Sequence, residues 1–176
     1  MVSEMLEGLA GARPRTGFPN VMLMTHRNEA VRFYDDLLKD KVVVVSFMYT
    51  RCEGRCPITI STLHRLQDAL GPRAGRDVFL YSITLDPTHD TPAILRDYAA
   101  VVGAGRGWRW LTGSATDIEV VRRRLGFVDP DPLIDADKSQ HAGLLLFGCD
   151  RTDRWAACPA LAKTDRLMTL LSRVAA

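Results

Sequence analysis

The sequence predicts an α/β layered fold: a central mixed sheet flanked by helices, with an extra β-hairpin at the N-terminal end. Three observations predict it. Apolar, β-branched runs alternate with helix-patterned stretches, a short hairpin precedes that alternation, and the last two runs are joined by the four-residue turn "DRTD". Strands separated by helices pair in parallel, whereas strands joined by a tight turn pair antiparallel, so the early strands are expected parallel and the last pair antiparallel.

Each element follows from its residues. Residues 20–25 (NVMLMT) and 30–34 (AVRFY) are short apolar or alternating runs around the turn-compatible "HRNE", which predicts the hairpin. Residues 35–40 are polar with two leucines and suit one helical turn. Residues 41–49 (KVVVVSFMY) are apolar on both faces, as a central buried strand must be. Residues 57–70 are helical, with Ile58, Leu63, Leu66 and Leu70 on one stripe and Pro57 in the first turn, where a missing N–H costs nothing.

Residues 77–85 (DVFLYSITL) form a second buried strand. Thr91 or Pro92 opens a helix to about Val102, and "WRWLT" is a short strand. Ser114, with Asp117 three residues on, is close to a capping box and starts a helix to Leu125. Residues 129–139 form a polar loop rich in Pro and Asp. Residues 141–149 are a strand headed by His141, 154–157 return, and 159–174 are the closing helix with Leu161, Leu167, Leu170, Leu171 and Val174 apolar.

The totals set bounds. A chain of 176 residues suits one domain with a single sizeable core, here residues 20–176 behind a flexible lead-in over residues 1–19. A net charge of +2 gives no reason to expect nucleic acid as a partner. The one basic run, Arg122-Arg123-Arg124, falls in a helical pattern and reads as a solvated helix face. No segment is apolar for the roughly 18–20 residues of a membrane helix, and the N-terminus lacks the basic start and apolar core of a signal peptide. Four cysteines are too few for a disulfide scaffold at this length.

The chemistry concentrates in "YTRCEGRCP", where Cys52 and Cys56 close a central strand and open a helix. Open α/β sheets place their sites at such carboxyl edges. If this turn were helical, residues four apart would have Cβ atoms about 5–6 Å apart, wider than the roughly 3.5–4.5 Å of a disulfide. Two thiolates on one metal tolerate that spacing, so the pair suits alternation between dithiol, metal-bound and oxidised states. The free N–H groups of a helix start favour thiolate, and Arg51 and Arg55 add positive charge that Glu53 partly offsets. The competing structural reading is a pair of buried core thiols. His26, His64, His89 and His141 are all available as a third ligand, and spacing does not choose among them.

The segments "FMYTRCEGRCP", "SITLDPTHDTPAILRDYA", "WRWLTG" and "HAGLLLFG" occur in this order, and together they resemble the Sco/SenC family from Asn20 to the end of the chain. CxxxCP followed by DPxxDTP is a specific combination. The resemblance implies a thioredoxin-like fold and a copper-binding protein that assists assembly of the copper centre of cytochrome c oxidase. It implies copper, as Cu(I) or Cu(II), on Cys52, Cys56 and His141. Two thiolates and an imidazole suit copper by softness. Asp86, in "DPTHDTP", is either a residue that supports the ligands or simply the organiser of its turn. Gln140 stands before His141 where family members often carry Asp, which alters what orients the imidazole.

The implied partner is a copper-accepting oxidase subunit or another copper carrier, met by a monomer. The implied location is extracytoplasmic, as in the periplasm. With no leader or anchor visible in the sequence, the cytoplasm stays open.

The remaining motifs weigh less. With a turn at 150–153, Cys149 faces Arg154 and Cys158 lies four residues along the return strand, so the two are about 13 Å apart and cannot bridge. Two free thiols are expected there. Trp108, Trp110 and Trp155 read as packing residues, with a partner surface as the alternative. The leading function is copper delivery through Cys52, Cys56 and His141. The alternative is a thiol–disulfide oxidoreductase that uses the Cys52–Cys56 dithiol alone to keep a partner's metal-site cysteines reduced. A peroxidase of the peroxiredoxin type lacks its PxxxTxxC pattern, and a four-cysteine zinc site lacks short spacing between Cys149 and Cys158.

Overall fold

A computed structural model describes residues 17–176, so the expected lead-in lies outside the described residues up to position 16. The strands are β1 (Met22–Thr25), β2 (Ala30–Arg32), β3 (Val42–Met48), β4 (Val78–Thr84), β5 (Trp108–Thr112), β6 (Leu144–Cys149) and β7 (Arg154–Pro159). The helices are α1 (Cys56–Leu70), α2 (Pro92–Val101), α3 (Ala115–Arg124), the single turn α4 (Pro132–Asp135) and α5 (Thr164–Ala175). A π-helical segment, Phe33–Leu38, follows the hairpin where one helical turn was expected.

All seven strands join one sheet in the order β2-β1-β5-β4-β3-β6-β7. β3 pairs in parallel with β4 and β4 with β5, while β1–β2, β1–β5, β3–β6 and β6–β7 are antiparallel. The expected mixed sheet with its N-terminal hairpin is present, and its two cores follow from the alternating faces of β3. Val42, Val44 and Met48 face a core with α1, α2 and α5, built around Leu63, Leu66, Leu95, Leu167, Leu171, Trp108 and Trp110. Val43, Val45 and Phe47 face a second core with Leu37, Leu38, Ile118, Val121 and Phe127. A strand buried on both faces has no polar side to show, which is why "VVVV" is so uniform.

Four sequence expectations change. Residues 141–149 do not all form a strand: Lys138–His141 is a 3₁₀ turn, and β6 begins at Leu144. The Asp137 carboxylate accepts the Ser139 N–H at 2.9 Å and caps that turn, so local side-chain bonding prevails over the strand-like run. The loop over 129–139 contains α4, capped by Asp131 with Pro132 in its first turn. β7 continues to Pro159 because Leu144 pairs with it, so the closing helix starts at Thr164 and Leu161 lies outside it, exposed. Ile58 is exposed rather than part of the α1 core stripe, which Ile60 joins instead.

The hairpin register pairs Cys149 with Arg154 and Cys158 with Leu145, as expected, and both thiols are free and buried. Trp108 and Trp110 are fully buried and stack with centroids 5.1 Å apart, so they are packing residues. Trp155 packs on Phe18 and covers Gly148 across the hairpin.

Candidate metal and redox site

Register brings three chemistry-bearing segments to one edge of the sheet. β3 and β4 run in step from Val42↔Val78 to Met48↔Thr84, so the segment after Met48 and the one after Thr84 leave side by side. β6 runs antiparallel to β3, with Ser46 opposite Leu145, so the chain entering β6 arrives at the same edge. These segments carry Cys52 and Cys56, then Asp86 to Asp90, then His141.

The dithiol is not two residues on one helical face, as a helical turn through it would require. α1 begins at Cys56, and Cys52 sits in the loop before it. That loop is pinned by Cys52 N–H to the Tyr49 carbonyl at 3.1 Å. The groups that favour a Cys52 thiolate are the Cys56 thiol, the N–H groups of Cys56 and Gly54, and the Tyr49 hydroxyl. Burial pushes the Cys52 thiol up, but these donors outweigh it and the net shift is down. Cys56, fully buried and spending its S–H on Cys52, is pushed up to about 12. Tyr49 is also raised to about 12, first by burial and then by its bond to Cys52. The pair is therefore asymmetric, with a thiolate-prone Cys52 and a proton-holding Cys56.

Asp86 accepts from Arg51 Nη2 at 2.7 Å and from Lys138 Nζ at 3.2 Å. These two contacts, Arg51 first, hold its carboxyl below the usual carboxylate range, although burial opposes them. One carboxylate thus ties the dithiol loop to the turn that ends at His141. Asp90, fully buried, accepts from Thr50 N–H at 3.0 Å, Thr84 Oγ1 at 2.5 Å and His89 Nδ1 at 2.9 Å, and also from Thr50 Oγ1. Asp90 is a site residue that the sequence reading misses. Its signal is its place in "DPTHDTP" beside a strand end, where a buried carboxylate needs several donors to be tolerated.

His141 is buried, and its imidazole is engaged elsewhere than on the sulfurs. Nε2 lies 2.8 Å from the Asp135 carbonyl, which can only accept, so Nε2 carries the proton and Nδ1 the lone pair. Arg122 Nη1 stands 3.0 Å from the same Nε2 and directs its own hydrogens to the Phe127 carbonyl at 2.5 Å and Asp135 Oδ1 at 2.8 Å. Arg122 is therefore buried and anchored, which corrects its reading as part of a solvated face. The signal was present: Arg122 lies four residues after Ile118 and three before Leu125, on the inner stripe of α3. Gln140 donates to Asp137 at 3.2 Å. The backbone next to His141 does reach the dithiol helix, since Thr59 Oγ1 donates to the Ala142 carbonyl at 2.6 Å.

Among the described residues, no three His, Cys, Asp or Glu side chains stand together closely enough to hold a metal ion. The structure joins Cys52 with Cys56, joins Asp86 to both flanking segments, and places the His141 ring in the Arg122–Asp135 anchor. His26 is committed elsewhere: its Nδ1 accepts the Trp110 N–H at 3.1 Å in the core.

A mixed sheet between helices, with a dithiol at the start of a helix that follows a central strand, defines the class of thioredoxin-like dithiol proteins. Residues 20–145 match the family model SCO1/SenC, and the chain belongs to that family. A protein of Stutzerimonas stutzeri, whose provisional name is copper-binding protein, is 30% identical over 149 residues, 81% of this chain and 70% of its own length. Among solved structures, Bradyrhizobium japonicum ScoI with copper bound matches with a TM-score of 0.67 at 24% identity, over 87% of this chain and 96% of that one. BsSco, described with a disulfide switch and as a member of the Sco family of cytochrome c oxidase assembly proteins, matches with a TM-score of 0.70 at 20% identity, over 93% and 96%. At these identities the solved structures establish a shared fold.

Proposed function

We propose that this chain binds copper through Cys52, Cys56 and His141 and delivers it to a respiratory oxidase of the cytochrome c oxidase kind, directly or through another copper carrier. The observation that carries the reading is the paired sulfur site: two buried soft donors at a helix start, one of them thiolate-prone, in a chain similar to a copper-bound ScoI. Copper is cargo here. Copper would take the place of the proton held by Cys56, and His141 would complete the set through Nδ1, the nitrogen that carries its lone pair. Asp86 keeps the three segments in register by holding Arg51 and Lys138. In this reading residues 20–176 act as one domain, as a monomer, on the extracytoplasmic side of a membrane. No helix among the described residues is long and apolar enough to cross one.

A second reading is favoured by the asymmetry of the thiols. The Cys52 thiolate attacks a partner's disulfide and one partner sulfur leaves as thiolate. Cys56 then loses its proton and attacks the Cys52 sulfur, which releases the second partner sulfur. One disulfide forms on this chain and one is reduced on the partner. This route needs no His141. Anaerobic copper loading followed by thiol counting separates the two. Delivery predicts that bound copper protects both thiols from alkylation and that His141→Ala weakens this protection. Disulfide exchange that survives His141→Ala in a protein with negligible copper affinity would favour the redox role.

A further inference from the structure

We propose that His89 is a second metal-binding imidazole of this site, one that meets a soft monovalent metal at the dithiol loop while His141 is held in the Arg122–Asp135 anchor. The proposal rests on the metal-binding reading of Cys52 and Cys56.

The four histidines differ in what their ring nitrogens meet. His26 is spent on the Trp110 N–H in the core, and His141 Nε2 is spent on the Asp135 carbonyl. His64 pairs through Nδ1 with Asp68 at 3.3 Å, on α1, and its Nε2 lies under Gly103. His89 makes its contacts through Nδ1 alone, to Asp90 Oδ1 at 2.9 Å and Thr50 Oγ1 at 3.4 Å, with 35% of its side chain exposed. A carboxylate accepts and does not donate, so Nδ1 carries the hydrogen and the lone pair of a neutral ring sits on Nε2. A carboxylate that fixes one ring nitrogen and leaves the other free is how metal-binding imidazoles are oriented and made more basic. Asp90 suits that task, because it is fully buried and held by both groups of Thr50 and by Thr84.

Position supports the same assignment. Thr50 touches His89 and stands two residues before Cys52, so the Cα atoms of Thr50 and Cys52 are within about 7 Å. His89 does not already form a three-ligand cluster with the two sulfurs, so the metal would draw its loop toward them. The charge of Asp90 is also felt at Cys56. The bland alternative is that His89 merely staples its loop through Asp90. A staple needs only a donor at Nδ1, whereas a ligand needs the lone pair on Nε2. His89→Asn separates them, since the Asn amide keeps a donor near the Nδ1 position and has no counterpart of Nε2.

The test loads wild type, His89→Asn, His141→Ala and the double variant with Cu(I) without oxygen. Affinity is read by competition with a chromophoric chelator, and nitrogen ligation by X-ray absorption. We expect His141→Ala to keep a nitrogen ligand, and His89→Asn on that background to remove it with a further loss of roughly tenfold in affinity. Loss of all nitrogen ligation in His141→Ala alone, or its survival in the double variant, would overturn the assignment. A measurement on the unmodified protein guards against misfolding: with nitrogen-labelled histidine, the His89 Nε2 resonance should shift on Cu(I) addition, and a stationary signal at saturation contradicts the proposal. If Cys52→Ser and Cys56→Ser also leave copper binding unchanged, the parent reading fails, which is a different outcome.

Discussion

Arg122 reaches across from α3 to His141, its Nη1 3.0 Å from the imidazole Nε2, while the same guanidinium pairs with Asp135 at 2.8 Å. Arg122 thus fixes Asp135, whose carbonyl accepts from the imidazole at 2.8 Å, and the metal-binding reading of His141 depends on how firmly.

Arg122→Met removes the centre of this anchor. The expected loss is about 1.5–3 kcal/mol, the range for a hydrogen bond to a charged group in a buried setting, measured by urea unfolding at neutral pH. Arg122 also holds the Asp135 carboxyl well below the usual carboxylate range. A depressed carboxyl contributes stability above its unfolded value near 4, and this is lost as pH falls through the folded value. Wild type should therefore lose stability as pH drops below about 4, and Arg122→Met should lose less over that interval. Equal acid slopes would contradict the anchor.

His26 carries a second pH dependence. Burial, the largest cause, lowers its pKa, and its Nδ1 must stay unprotonated to accept from Trp110. The unfolded chain then binds more protons than the folded one, so stability falls as pH drops through about 6.5. His26→Asn should flatten the melting temperature between about pH 7.5 and 5.5 relative to wild type. An unchanged slope in the variant would rule His26 out as its source.

Cys52 should react before Cys56. Its thiol is shifted below the ordinary thiol value, although burial opposes the shift, while Cys56 is pushed up to about 12. Limiting alkylation followed by peptide mapping should label Cys52 first, and Tyr49→Phe should move the thiolate absorbance titration to higher pH by removing one donor. Preferential labelling of Cys56 would reverse the assignment of roles.

Gly148 faces Trp155 across the β6–β7 hairpin, and a Cβ there would come within 2.1 Å of the indole ring. Gly148→Ala should destabilise the fold by about 1–3 kcal/mol as the indole is forced aside. A midpoint of chemical denaturation equal to wild type would show that the hairpin yields freely.

The legible parts of this chain are those where side chains repeat a simple pattern. The valine run of β3 and the "FLYSIT" of β4 read directly, and with them the sheet edge that holds Cys52 and Cys56. The 138–141 turn did not, because the carboxylate of Asp137 and the caps of α4 outweigh an apolar run beginning near His141. The closing helix begins five residues later than its apolar pattern suggests, because pairing of Leu144 with Pro159 is a tertiary contact that local pattern does not show. Arg122 was hidden by its neighbours: Arg123 and Arg124 do face outward, and the triplet disguised the one member on the inner stripe of α3. The motif points to Asp86 and to the correct loop, while Asp90 four residues on carries the denser network.

The most direct test of the central claim is an anaerobic Cu(I) titration of wild type, Cys52→Ser, Cys56→Ser and His141→Ala. Wild type should bind about one copper per chain, either serine variant should abolish tight binding, and His141→Ala should weaken it while leaving both thiols engaged. Wild-type stoichiometry and affinity in all three variants would contradict a copper site built on Cys52, Cys56 and His141.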